Sequence, residues 1–227
     1  MHGTLDDILV ERRDEGVFES AIFLTEALSE VNEGRSFLEQ LSMEEAQVLK
    51  RASVVRDLSP RESVFVQGKP HEGIFLIEKG QVRTYYAGVS GREITLAYWT
   101  PGHFVGGPEI FGGGVHIWSA EAVTEASVRY LPGSSIRHLI ERVPSFALCV
   151  IDGLVAKGKC YSALAQMLGT RSVVERLAQL LLILGRLQGE QSGNELIIVR
   201  RITHEQIANI VGSTRQWVTT ALARFQD

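Results

Sequence analysis

Ile202-Thr203-His204-Glu205-Gln206-Ile207-Ala208-Asn209-Ile210-Val211-Gly212-Ser213-Thr214-Arg215-Gln216-Trp217-Val218-Thr219-Thr220-Ala221-Leu222-Ala223-Arg224-Phe225 is the stretch on which the reading of this chain turns. Thr203 can cap a short helix with Ile207 and Ile210 facing inward. Gly212 supplies a turn, and Ser213 or Thr214 opens a second helix with Val218 and Leu222 at i, i+4. That pattern predicts a helix-turn-helix. The second helix offers Thr214, Arg215, Gln216, Thr219 and Thr220, whose short or fork-shaped polar groups suit base edges and phosphates in a DNA major groove. Thr203 and Ser213, at the helix starts, join them as expected DNA contacts. Trp217, beside Val218, is expected half-buried against the preceding helix.

Working outward, 227 residues suffice for two modest domains, each with its own core. The formal charge is −4, so no global basic field holds nucleic acid and any DNA contact must be local. From Thr170 onward the balance reverses to +2, seven arginines against five carboxylates, with Arg200, Arg201 and Arg224 among the cations. Two cysteines are too few for a disulfide framework and no secretory leader is expected, which points to a reducing cytoplasm. The most apolar run, residues 177–184, falls well short of the roughly 20 residues a membrane span needs.

Residues 1–35 are acidic and helix-prone. Between Val54 and Leu131 short β-rich runs alternate with glycine turns: 63–66, 73–78, 81–87, 93–99, 118–122 and 127–131. Such spacing predicts a small β-barrel or roll. Pro144 fits the first turn of a helix that runs uninterrupted to Leu168. In that helix Ala147, Val150, Leu154, Lys157, Tyr161, Leu164 and Leu168 make a heptad seam with one charged intruder. The seam suits either a dimer interface or packing on the chain's own roll. A helix over 173–187, a turn over 188–194 and a strand over 195–200 lead into the helix-turn-helix.

Four segments in this order resemble the CRP/FNR family of bacterial transcription regulators: Val66-Gln67-Gly68 with Gly73, Phe75-Leu76-Ile77-Glu78-Lys79-Gly80, Pro101-Gly102-His103-Phe104-Val105-Gly106, and Ile202 to Arg215. The resemblance extends from about Phe37 to the C-terminus. It implies an α+β chain: a helical extension (1–35), a jelly-roll-like cyclic-nucleotide-binding-like sensor (36–143), a dimerisation helix (144–169) and a helix-turn-helix domain (170–227). It further implies a cytoplasmic homodimer joined at Val150, Leu154, Tyr161, Leu164 and Leu168, reading a palindromic operator with half-sites roughly 34 Å apart. RNA polymerase is a further partner that the resemblance admits.

Three departures from the family pattern matter. Cyclic-nucleotide binders carry a ribose-binding glutamate and an Arg-Ser pair for the phosphate, whereas this chain has Gly107 and Trp118-Ser119 at the matching positions. Without the arginine a buried phosphate loses its charge-assisted partner, which disfavours cyclic AMP. Glu109 could take the glutamate's role, and Gly106, Gly107, Glu109, Trp118, Ser119 and Tyr161 are the expected effector pocket. In the reader, Arg215 matches the family's guanine-reading arginine, while Gln216 stands for a glutamate and Thr220 for an arginine. Last, the family's closing β-hairpin wing has no counterpart before Asp227, so the expected fold lacks that wing.

Cys149 and Cys160 lie 11 residues apart, about 20° around a helix, and are read as two small buried hydrophobes on one flank. Two thiols disfavour an iron–sulfur cluster; haem, given His71, His103, His116 and His138, and a small organic anion stay open, and no metal ligand set is assigned. Arg83 and Arg92 are expected at exposed positions. No P-loop, His-Glu-x-x-His or Gly-x-Ser-x-Gly motif supports an enzyme. The competing reading is a signalling or scaffolding dimer with a degenerate DNA-binding end.

Overall fold

Ser42 closes a capping box. Its Oγ accepts from the Glu45 N–H at 3.3 Å and Glu45 Oε2 accepts from the Ser42 N–H at 2.8 Å, which starts helix α1, Met43–Arg51. The structure, a computed structural model, describes residues 40–193, 195–198 and 202–225. The expected helical extension over 1–35 lies outside the described residues, as do Arg200 and Arg201.

Eight strands follow: β1 Val54–Leu58, β2 Ser63–Phe65, β3 Gly73–Lys79, β4 Val82–Ala87, β5 Glu93–Trp99, β6 Phe104–Val105, β7 Ser119–Ala122 and β8 Ala126–Pro132. They form two antiparallel sheets of order β1-β8-β3-β6 and β2-β7-β4-β5, the two halves of a roll. Register pairs Phe75 with Tyr130, Ile77 with Val128, and Val82 with Trp99. Strand β3 explains why Ile74-Phe75-Leu76-Ile77 is apolar throughout. Phe75 and Ile77 join Phe65, Val82 and Trp99 between the sheets, while Ile74 and Leu76 lie under helices on the outer face.

That outer cover comprises α1, α2 (Gly133–Arg142) and the start of α3 (Pro144–Thr170), through Leu49, Ile136, Leu139, Phe146 and Val150. Pro144 takes the first helical turn of α3, as its fixed φ favours. Helix α2 was not expected. Pro132 gives it no side-chain cap, and Gly133 sits where a Cβ would collide with the Phe111 carbonyl, so its start carries no capping signature. Gly153 brings α3 against the roll, since a Cβ there would fall 2.4 Å from the Phe104 ring.

Ser172 and Glu175 form a second capping box for α4, Val173–Gln188. The hairpin β9 (Gly189–Ser192) and β10 (Glu195–Ile198) then leads to α5 (His204–Val211) and α6 (Arg215–Arg224). A third core of Leu177, Leu180, Leu184, Ile207, Val211 and Val218 holds these helices. Tyr98 of β5 and Met167 of α3 are buried in the same cluster, so roll, long helix and terminal helices share one apolar seam.

Candidate functional site

Helix α5 begins with a reciprocal cap: Thr203 Oγ1 accepts from the Gln206 N–H at 3.1 Å and Gln206 Oε1 accepts from the Thr203 N–H at 2.9 Å. It stops at Gly212, whose left-handed φ of 65° lets the Ser213 N–H return to the Ala208 carbonyl at 2.8 Å. Thr214 then caps α6 by accepting from the Trp217 N–H at 3.2 Å. Ile207, Ile210, Val211, Val218 and Ala221 face inward, with Trp217 half-buried beside them. Arg215, Gln216, Thr219 and Thr220 therefore stand together on the exposed side of α6. The Thr219 hydroxyl donates to the Arg215 carbonyl and lies 2.8 Å from His204 Nδ1, and Thr220 donates to the Gln216 carbonyl, which holds both rotamers. Thr203 and Thr214 are exposed at the two helix starts. Ser213 is instead buried in the turn, so among the expected DNA contacts it alone faces the core.

The hairpin joining β4 and β5 reaches this turn. Arg92 Nη2 donates to the Gly212 carbonyl, and a crevice of about 890 Å³ separates roll from reader, with Arg61, Tyr98, Thr203 and Arg215 on its walls. Arg92 is exposed as expected, but Arg83 is not. Its side chain is 12% exposed and meets Glu93 at 2.5 Å, Glu121 at 2.8 Å and Thr95 at 3.0 Å. Burial opposes the guanidinium charge, and the two carboxylates more than restore it. Strand pairing is the cause, because Arg83 lies opposite Glu121 on β7 with Glu93 on the neighbouring β5.

The expected effector residues occupy two distinct settings. The Gly107 N–H donates to His71 Nε2 at 2.6 Å, and a Cβ on Gly107 would stand 2.9 Å from the same ring. Gly106, at φ 146°, packs against Ile74, while Glu109 is exposed on the loop beside Gly114. Desolvation lowers the His71 pKa, which keeps the acceptor nitrogen free and puts the ring proton on Nδ1. Trp118 meets Tyr161 edge to face at 5.4 Å, both against the roll core. Burial pushes the Tyr161 phenol up, and Thr84 shares a hydrogen bond with it. Ser119 is buried and accepts from the Gln67 N–H at 3.0 Å. The space opposite Gly107 thus holds an imidazole, and Trp118 leans on α3 through Tyr161.

Helix α3 turns the expected seam toward its own chain, the second of the two packings it suits, and so does not leave it free as the expected dimer interface. Val150 is 2% exposed and buried in its own core, Leu154 packs on the same cluster, Tyr161 on the roll, and Leu164 and Leu168 on the terminal helices. The exposed face lies one residue further round: Leu148, Ile151, Val155, Gly158, Ser162, Ala165 and Gly169, again at alternating spacings of three and four. Lys157 explains which face turned inward. Its Nζ donates to the Phe104 carbonyl at 2.5 Å, 3.8 Å from the Phe104 ring centroid and 4.2 Å from that of Trp99. Burial pushes its pKa down to about 7, with Cys160 opposing. Cys149 and Cys160 belong to different clusters, and burial raises them to about 11 and about 12, so both thiols stay protonated at neutral pH. Among the described residues no cluster of three or more His, Cys, Asp or Glu could hold a metal ion.

Residues 55–143 match the cyclic nucleotide-binding domain and residues 175–227 the Crp-like helix-turn-helix domain. The chain is 29% identical over 180 residues to the CRP-like cAMP-activated global transcriptional regulator of Mycobacterium tuberculosis, covering 77% of this chain and 80% of that protein. It is 25% identical over 176 residues to the global nitrogen regulator of a Nostoc species, covering 77% and 79%. The c-di-GMP responsive global regulator CLP of Xanthomonas campestris shares the fold with a TM-score of 0.71 at 18% identity, over 82% of this chain and 92% of that one.

Proposed function

Because this chain belongs to the CRP/FNR family of transcription regulators, we propose that it works as a homodimer on a palindromic operator, under a signal received by the roll that is not cyclic AMP. The observation carrying the DNA reading is the exposed row of Arg215, Gln216, Thr219 and Thr220 on a capped, core-anchored α6. Arg215 suits the O6 and N7 of a guanine, and Gln216 in place of glutamate moves the adjacent preference away from a cytosine amino group. Site selection from random duplexes should return half-sites that keep the guanine and change its neighbour. Recovery of an unaltered cyclic-AMP-activator half-site would sink this assignment.

Dimerisation is assigned to the free face of α3, where Leu148, Ile151 and Val155 are 62%, 54% and 51% exposed and continue into Gly158, Ser162, Ala165 and Gly169. Against cyclic AMP stand the His71 ring at Gly107 and the apolar Trp118–Tyr161 contact, which offer neither a ribose carboxylate nor a phosphate arginine. Titration calorimetry with cyclic AMP should give no heat of binding and leave DNA affinity unchanged; a tenfold gain in DNA affinity would refute the reading. A cytoplasmic setting fits the DNA target, and no helix among the described residues is long and apolar enough to cross a membrane. A gel shift at graded salt separates this regulator from a scaffolding dimer, since engaged phosphates impose a steep salt slope and a scaffold a flat one.

A further inference from the structure

A second cavity opens on the roll, with none of Gly107, Trp118 and Tyr161 in its lining. It measures about 270 Å³, and Phe65, Phe75, His116 and Tyr130 form its walls with Arg56 and Lys69 beside them. At about 30 Å³ for a water's share of liquid volume, it holds on the order of nine non-hydrogen atoms. A cyclic nucleotide is far larger. The walls favour a flat body: His116 stacks on Phe65 at 4.0 Å and 14°, and Phe75 leans on Tyr130 at 5.0 Å.

Polar groups around these walls are unevenly matched. Arg56 lies over the Phe75 ring at 5.8 Å and gives Nη1 to the Val64 carbonyl, and Lys69 is exposed at the rim. Glu72 is the one carboxylate in the lining, so the two cations leave a net positive charge suited to a monoanion. His116 is 5% exposed, yet its Nδ1 is buried with no hydrogen-bond partner among the described residues. Burial and the neighbouring His71 hold its pKa down to about 4, so the ring is neutral. With its single proton on Nδ1, that orphaned atom is an N–H donor without a protein acceptor among the described residues.

We propose that this cavity binds a small aromatic carboxylate, its ring laid against the wall that Phe65, Phe75 and Tyr130 form and its carboxylate among Arg56, Lys69 and His116. The consequence for regulation rests on the roll being the signal-receiving domain; binding itself does not. Benzoate, with a nine-atom frame, is the probe for titration calorimetry on the full chain at neutral pH. One saturable site per chain is expected, with benzyl alcohol binding at least tenfold more weakly because it lacks the charge. His116→Phe keeps the stacking and removes the donor, and Lys69→Met changes only an exposed cation; each should weaken benzoate several-fold, with unchanged thermal melting. Equal affinity for benzoate and benzyl alcohol, or full affinity in both variants, overturns the proposal. A gel shift with and without benzoate is read separately. Loss of DNA binding with benzoate binding intact would sink the regulator reading alone, and DNA binding without benzoate binding would sink the cavity assignment alone.

Discussion

Replacing Lys157 by methionine should change how the fold responds to pH rather than simply how stable it is. The ammonium is buried between Trp99 and Phe104 with one carbonyl acceptor, and no carboxylate forms an ion pair with it among the described residues. Its native pKa is about 7 against 10.5 for the free side chain. Below pH 7 both native and unfolded chains hold the proton, so the burial cost is constant. Between about 7 and 10.5 the unfolded chain binds a proton that the native one does not, and stability therefore climbs with pH. The full window corresponds to on the order of 5 kcal/mol, of which about 3 kcal/mol falls between pH 6 and pH 9. Methionine fills the same slot without titrating. Urea denaturation of both proteins at pH 6 and pH 9 isolates this increment, because the histidine contributions are common to both and cancel in the difference. Parallel pH dependences, with a constant offset between the two proteins, would refute the argument that Lys157 is desolvated.

Arg215→Ala should cost about 1–3 kcal/mol of DNA binding and relax preference at one base position, measured by competition gel shift with single-base variants of the selected site. Ile151→Asp should convert a dimer to monomer in sedimentation velocity and weaken operator binding. Val150→Ala, on the inward face, should cost about 2 kcal/mol in thermal stability and leave the sedimentation coefficient alone. Arg83→Met leaves Glu93 and Glu121 facing each other without their cation and should cost about 3 kcal/mol in chemical denaturation, the low end for a buried pair because both carboxylates are partly exposed. Acid should also destabilise the fold. Burial holds His103, near Lys157, and His116, beside His71, at about 4, so stability rises with pH from about 4 to 6.5, where the unfolded imidazoles still bind a proton that the native ones have lost.

Local chemistry was the legible part of this sequence. Thr203, Gly212 and Thr214 carry cap and turn signatures that depend on neighbours within a few residues, and the helix-turn-helix lies where they put it. The six strand runs were readable from their glycine punctuation. Five elements were not: α1 and β1 precede the first of those runs, β6 is only Phe104–Val105, too short for any period, α2 starts at Pro132-Gly133 without a capping side chain, and β9 falls in the stretch expected to be a turn, where it pairs with β10. The face of α3 was ambiguous for a geometric reason. Residues 147, 150, 154 and 148, 151, 155 share the same spacing, and a one-residue shift turns a helix by about 100°. Lys157 was the available clue: the one charged residue of a seam that suited either a dimer interface or the chain's own roll is the group that Trp99 and Phe104 enclose. His71 escaped notice at Gly107 because the two are 36 positions apart in the chain, and no spacing rule links them.

That contact between His71 and Gly107 also constrains the order in which this sequence can change. Any side chain at position 107 meets the imidazole with its first carbon, at 2.9 Å, so position 71 must change before position 107 can. Removing the imidazole first strips the Gly107 N–H of its acceptor and takes away the ring that stands 4.4 Å from His116. Each single step toward a carboxylate at 107 therefore passes through a less stable protein, and a useful pair of substitutions has no useful half. The glycine behaves as a ratchet: random mutation tested one residue at a time will keep reselecting it, whatever ligand the roll is being asked to hold.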